Sequence, residues 1–187
     1  MFSKIRLLLV LSILALFAFP SQSIAQGNFG KNPVQWRKLN WVRYDTPHFM
    51  IGHYSDLKDP KQVANMERLQ NVLENQYSFY SSTAVFEYEI KETLPVFYFD
   101  THSEVEGCPL ASPLLPEGVG AFVDWARTRM VIKGDFEPQL FERIVAHELV
   151  HQFQMKILKG RMLGLMLGMQ RIPNGFIEGG AEYLTGL

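Results

Sequence analysis

The 187-residue chain has little cysteine: Cys108 stands alone. That excludes an intrachain disulfide, so stability must come from an apolar core and any bound metal. Gly107-Cys108-Pro109 sits in a Pro-rich stretch with no cysteine-peptidase signature around it, and reads as a loop. An excess of one charge is also lacking. The 18 Lys and Arg nearly balance 19 Asp and Glu, leaving a formal charge of −1. A nucleic-acid binder would carry a basic excess, so no nucleic-acid partner is expected. There is no internal repeat and no low-complexity tract. Nor is any apolar run long enough for a membrane helix. Leu7–Phe19 covers 13 residues, broken only by Ser12, where a span needs about 20.

What is present is core material. Hydrophobic residues make up 47% of the chain, including 14 Phe, 7 Tyr and 3 Trp, which argues for a folded domain. The first residues have a separate logic. Lys4 and Arg6 precede the apolar run, and Ser23-Ile24-Ala25 ends it with small residues. This order predicts a signal peptide over residues 1–25 and a mature domain over 26–187, with no stable span after cleavage. The protein is then exported, to the periplasm or beyond the cell. Cleavage removes two positive charges and no acid, taking the formal charge from −1 to −3.

Along the mature chain, Trp41–Asp45 and Phe49–Tyr54 read as strands separated by Thr46-Pro47. Asp59-Pro60 is a helix start, N-cap then first-turn proline. From there Val63, Met66, Leu69, Val72, Leu73, Gln76, Tyr77 and Tyr80 form one stripe on a long helix. Leu94–Phe99, Val119–Trp125 and Thr128–Lys133 are three further strands, and residues 107–120 a Pro- and Gly-containing loop. A second long helix runs from Pro138 to about Leu158, with Gly160 stopping or bending it. A short helix spans Phe176–Thr185, with Gly186 as its C-cap. The order predicts an α+β fold: a mixed sheet packed on a long helix and on a helix bearing the chemistry. His48 and His53 are expected on opposite faces of their strand, too far apart in direction to share an ion.

The chemistry is carried by His147-Glu148-Leu149-Val150-His151 on the second long helix. Residues four apart share a helix face, so two imidazoles can converge on one ion. Glu148, one step round, lies beside that ion, where it can take a proton from a metal-activated water. A catalytic zinc needs a third protein ligand and an open position. Glu178, in Ile177-Glu178-Gly179-Gly180-Ala181-Glu182-Tyr183, is the candidate. Its small neighbours at 179–181 would let the two helices approach closely. Glu182 shares the face of Glu178 and can hold the outer nitrogen of a ligand histidine. For the oxyanion donor, Tyr183, Tyr98 and His102 remain open.

Ala146–Phe153, followed by Phe176-Ile177-Glu178-Gly179-Gly180-Ala181-Glu182-Tyr183-Leu184, resembles the gluzincins. More narrowly, it is similar to bacterial peptidase MA-like domains, whose second motif runs close to W-x-x-E-G-x-A-E-Y. Here Asn174-Gly175-Phe176 stands in place of that Trp, and 26 residues separate His151 from Glu178. The resemblance implies a zincin-like fold and one Zn2+ held by His147, His151 and Glu178. It implies Glu148 as general base in peptide hydrolysis and Glu182 as the residue orienting a ligand histidine. It further implies that Gly118-Val119-Gly120-Ala121-Phe122 is an edge strand pairing with substrate backbone through Gly120, Ala121 and Phe122. Such proteins continue into a C-terminal subdomain and, in some exported members, a β-propeller, so both are expected beyond this sequence. The expected partner is a peptide or protein substrate. The competing expectation is a non-catalytic zinc-binding or assembly module of a longer exported protein. A purely structural metal site gives Glu148 no reason to be acidic.

Overall fold

The computed structural model describes residues 38–54, 59–110, 118–124, 128–161 and 172–186. These lie in the unit Gln35–Leu187, and the expected signal peptide over 1–25 lies outside the described residues. Among the described residues nine elements follow in order: β1 (Val42–Asp45), β2 (Phe49–His53), α1 (Pro60–Ser81), β3 (Leu94–Phe99), α2 (His102–Glu106), β4 (Ala121–Asp124), β5 (Arg129–Lys133), α3 (Pro138–Arg161) and α4 (Asn174–Thr185). The strands form one mixed sheet in the order β1-β2-β3-β5-β4. β2, β3 and β5 run parallel, while β1 and β4 pair antiparallel to their neighbours at the two edges. The fold is α+β.

Strand alternation divides the apolar residues between two faces. Leu94, Val96 and Tyr98 of β3 join Phe49, Ile51, Met130 and Ile132 on one face. Met66, Leu69, Leu73, Tyr77 and Tyr80 of α1, with Phe141, Val145, Leu149 and Phe153 of α3, cover that face. Phe97 and Phe99 point the other way, to a smaller cluster with Val131, Val105, Cys108 and Phe122. α1 begins as the sequence predicts: Asp59 caps it by accepting from the Lys61 N–H at 2.9 Å, with Pro60 in the first turn. α3 is fixed by Phe153, whose ring lies 5.3 Å from Tyr77, 6.1 Å from Tyr80 and 5.4 Å from Phe86 between centroids. Such buried aromatic contacts each add about 0.5–1.5 kcal/mol beyond burial.

Several expected bounds shift. β1 begins at Val42 and β2 ends at His53, one residue inside the expected spans. β4 covers Ala121–Asp124, beginning two residues after the expected Val119, and the Gly120 carbonyl just before it accepts from the Lys133 N–H at 3.1 Å; Trp125 lies outside the described residues. α3 continues through Gly160 to Arg161, since one helical glycine costs only about 1 kcal/mol. α4 begins at Asn174, with Pro173 at its N-cap. α2 has no counterpart among the expected elements. A capping box builds it: Thr101 and Glu104 bond each other's backbone N–H groups reciprocally. His48 and His53 do diverge. His48 Nδ1 meets Glu74 at 2.6 Å, while His53 is buried 3.5 Å from Asp100.

Candidate metal centre

α3 buries Val145, Leu149 and Phe153 against the sheet and α1, which sets the rotation of the whole helix. With that rotation fixed, His147 and His151 lie one turn apart on the side that meets α4. α4 presses Ile177 and Ala181 into the contact, and Glu178 therefore projects toward the histidines. Gly180 and Ala181 make the close approach possible. A Cβ on Gly180 would lie 3.3 Å from Gln154 Nε2, and Ala181 is fully buried. Gly179, expected to share this role, faces open space.

His147 Nε2 and His151 Nε2 are 3.1 Å apart, and each lies 3.4 Å from Glu178 Oε2. Tetrahedral zinc with arms of about 2.0–2.1 Å places its ligand atoms about 3.3 Å from one another. The three edges of this triangle fit that ion.

The outer nitrogens decide the protonation. His147 Nδ1 lies 3.3 Å from Glu182 Oε2, and His151 Nδ1 lies 2.9 Å from Gln154 Oε1. Oxygen acceptors on that side call for a proton on each Nδ1. Each Nε2 then turns a lone pair inward, toward the Glu178 carboxylate. Three lone pairs meeting at this range repel unless a cation lies among them, so the donor set suits a metal.

Glu182 is itself held. Its Oε1 accepts from Arg143, which sits one turn before His147 on α3. Gln154 was not singled out by the sequence. Its Nε2 donates to the Ile177 carbonyl at 3.1 Å while its Oε1 accepts from His151. Only the amide NH2 can face a carbonyl, so this bond also fixes which end faces the histidine.

Glu148 faces a cleft of about 450 Å³ shared with His147, Arg143, Ile144, Leu140 and Glu182. Burial, then the negative charge of Glu178, pushes its carboxyl up to about 8. A divalent cation amid the three ligands would pull it down again, into the range where it takes a proton from water at neutral pH.

Residues 118–121 form the opposite wall of the cleft. Gly120 and Ala121 thus stand where a bound chain would lie. The Phe122 side chain takes the far face, against the smaller cluster, while its backbone continues β4 beside Ala121. β4 pairs with β5 alone among the described strands, leaving its outer edge open. None of the three expected oxyanion donors lines this cleft. Tyr98 is in the core, His102 pairs with Glu106 at 3.5 Å, and Tyr183 is exposed on α4.

Comparison of the chain with protein-family models, with curated proteins and with solved structures finds no match. The functional reading therefore rests on the residues.

Proposed function

We propose that this chain is an exported zinc-dependent peptidase of gluzincin type, with a zincin-like arrangement of sheet and motif helix. The observation that carries the reading is the triangle of His147 Nε2, His151 Nε2 and Glu178 Oε2, with edges of 3.1, 3.4 and 3.4 Å. These three residues would hold a zinc ion, which would supply the Lewis acidity that acidifies a water and polarises a carbonyl. Glu148 accepts the proton of that water and returns it to the leaving amine. An extended peptide lies along the open edge of β4 beside Ala121, while Gly120, whose carbonyl is taken by the Lys133 N–H at 3.1 Å, lines the cleft wall. Glu182 keeps the His147 ring turned and its outer nitrogen protonated.

Export belongs to the same proposal and rests on residues 1–25. No described helix is long and apolar enough to cross a membrane. The module reading, zinc bound without hydrolysis, makes a different forecast for one substitution. Zinc per chain and cleavage of an unstructured protein substrate are measured for wild type, His147→Ala, Glu178→Ala and Glu148→Gln. The peptidase reading requires about one zinc in wild type, loss of zinc in the first two variants, and zinc without cleavage in Glu148→Gln. Zinc-loaded wild type that cleaves no peptide supports the module instead.

A further inference from the structure

Gln154 bridges the two helices that carry the ligands. It lies on α3, three residues after His151, and is half-buried at the α4 contact. Its amide makes two bonds in opposite senses, accepting from His151 Nδ1–H at 2.9 Å and donating to the Ile177 carbonyl at 3.1 Å. Ile177 immediately precedes Glu178. One side chain therefore touches the ring of one ligand and the backbone beside another. The space it occupies is kept by Gly180, where a Cβ would come within 3.3 Å of Gln154 Nε2.

We infer that Gln154 is a positioning residue for the metal: it sets the tautomer and ring plane of His151, so that Nε2 faces the other ligand atoms. This rests on the metal-site reading above. A free neutral imidazole can carry its proton on either nitrogen, and the Nδ1–H form alone leaves Nε2 able to bind a metal here. The Ile177 carbonyl selects the amide orientation, the amide oxygen selects Nδ1–H, and Nε2 is thereby committed to the ion. His147 obtains the same service from Glu182. The two ligands differ in kind of support: a carboxylate behind His147, a neutral amide behind His151. The neutral partner adds no further negative charge to those of Glu178 and Glu182.

The test uses the full chain as wild type, Gln154→Leu and Gln154→Glu. Side-chain nitrogen NMR of the metal-free proteins reads the His151 tautomer, and chelator competition reads zinc affinity. Wild type should show Nδ1–H at His151. Gln154→Leu should shift His151 toward Nε2–H and bind zinc about 10–100-fold more weakly. Gln154→Glu keeps an acceptor for Nδ1 but loses the donor to Ile177, and should stay close to wild type in tautomer and affinity. A clamp between helices with no role toward the ring predicts the reverse: Gln154→Glu would fall as far as Gln154→Leu, and that result overturns the inference. An unchanged tautomer in folded Gln154→Leu also overturns it. If wild type takes up no zinc while Gln154→Leu still changes the tautomer, the metal-site reading fails and the hold of Gln154 on the ring stands.

Discussion

Glu182 meets His147 from behind: its Oε2 lies 3.3 Å from Nδ1, on the side of the ring away from Glu178. A carboxylate there raises the basicity of the ligand and fixes the ring.

Glu182→Ala should therefore lower zinc affinity about 10–100-fold without abolishing binding, read by chelator competition. Arg143→Ala removes only the exposed partner of Glu182, and an exposed ion pair is worth about 0–1 kcal/mol. Its effect should stay within about fivefold. Equal losses in the two variants would contradict this ranking.

Glu148→Gln should stabilise the metal-free protein as it ends catalysis. Burial favours the neutral carboxyl, so the folded chain keeps a proton between the ordinary Glu value of 4.5 and about 8. The unfolded chain has released that proton, and stability falls as pH rises through this interval. Urea titrations should show the variant and wild type alike near pH 4. At pH 8 the variant should be more stable by roughly 1–3 kcal/mol. A constant gap across pH would show that the carboxyl is not perturbed.

Gly120→Ala places its Cβ 2.6 Å from Phe136 Cζ and 3.0 Å from Ile144 Cδ1. The Phe136 and Ile144 side chains must shift, at a cost of about 1–3 kcal/mol, and the cleft wall moves with them. At Gly118 a Cβ meets nothing within 4 Å, and Gly118→Ala should leave stability within about 0.5 kcal/mol. Gly179 is equally open and helical, so Gly179→Ala should stabilise by up to about 1 kcal/mol. Denaturant midpoints for the three variants check all of this together.

Glu74 should set part of the acid limit. Burial acts to raise its carboxyl, but hydrogen bonds from His48 and Thr46 outweigh it and hold it below the ordinary value. The stability this contributes is full above 4.5 and is lost as pH falls through the depressed value. Glu74→Gln should cost about 1 kcal/mol at neutral pH and flatten the acid limb of the stability profile. An acid limb unchanged from wild type would place the sensitivity elsewhere.

The repeating patterns were legible in sequence. Helical spacing gave the α1 stripe, and a carboxylate-led segment downstream of the motif pointed to α4. The proximity of His147 and His151 follows from four residues of helix, which any single sequence displays. What was not legible depends on how elements cross. The bridge made by Gln154 exists only because α4 lies over α3 at Ile177, and no spacing in the chain encodes that. For the same reason Gly179 and Gly180, adjacent and alike in sequence, part company: one faces solvent and the other the Gln154 amide. The opposite facing of the Ala121 and Phe122 side chains was readable in principle, since residues alternate along β4. The signal for α2 was likewise present in Thr101 and Glu104, but five residues are too few for a periodic pattern to declare itself.

The three ligand atoms are shared unequally between two helices. α3 is anchored through Phe141, Val145, Leu149, Val150 and Phe153, whereas α4 buries only Ile177 and Ala181 and leaves Phe176 78% and Tyr183 69% exposed. Such a division would make binding of an ion and the seating of α4 reciprocal: each would strengthen the other by the same coupling free energy. An ion bound among the three atoms would lock α4 onto a standing arch of sheet, α1 and α3.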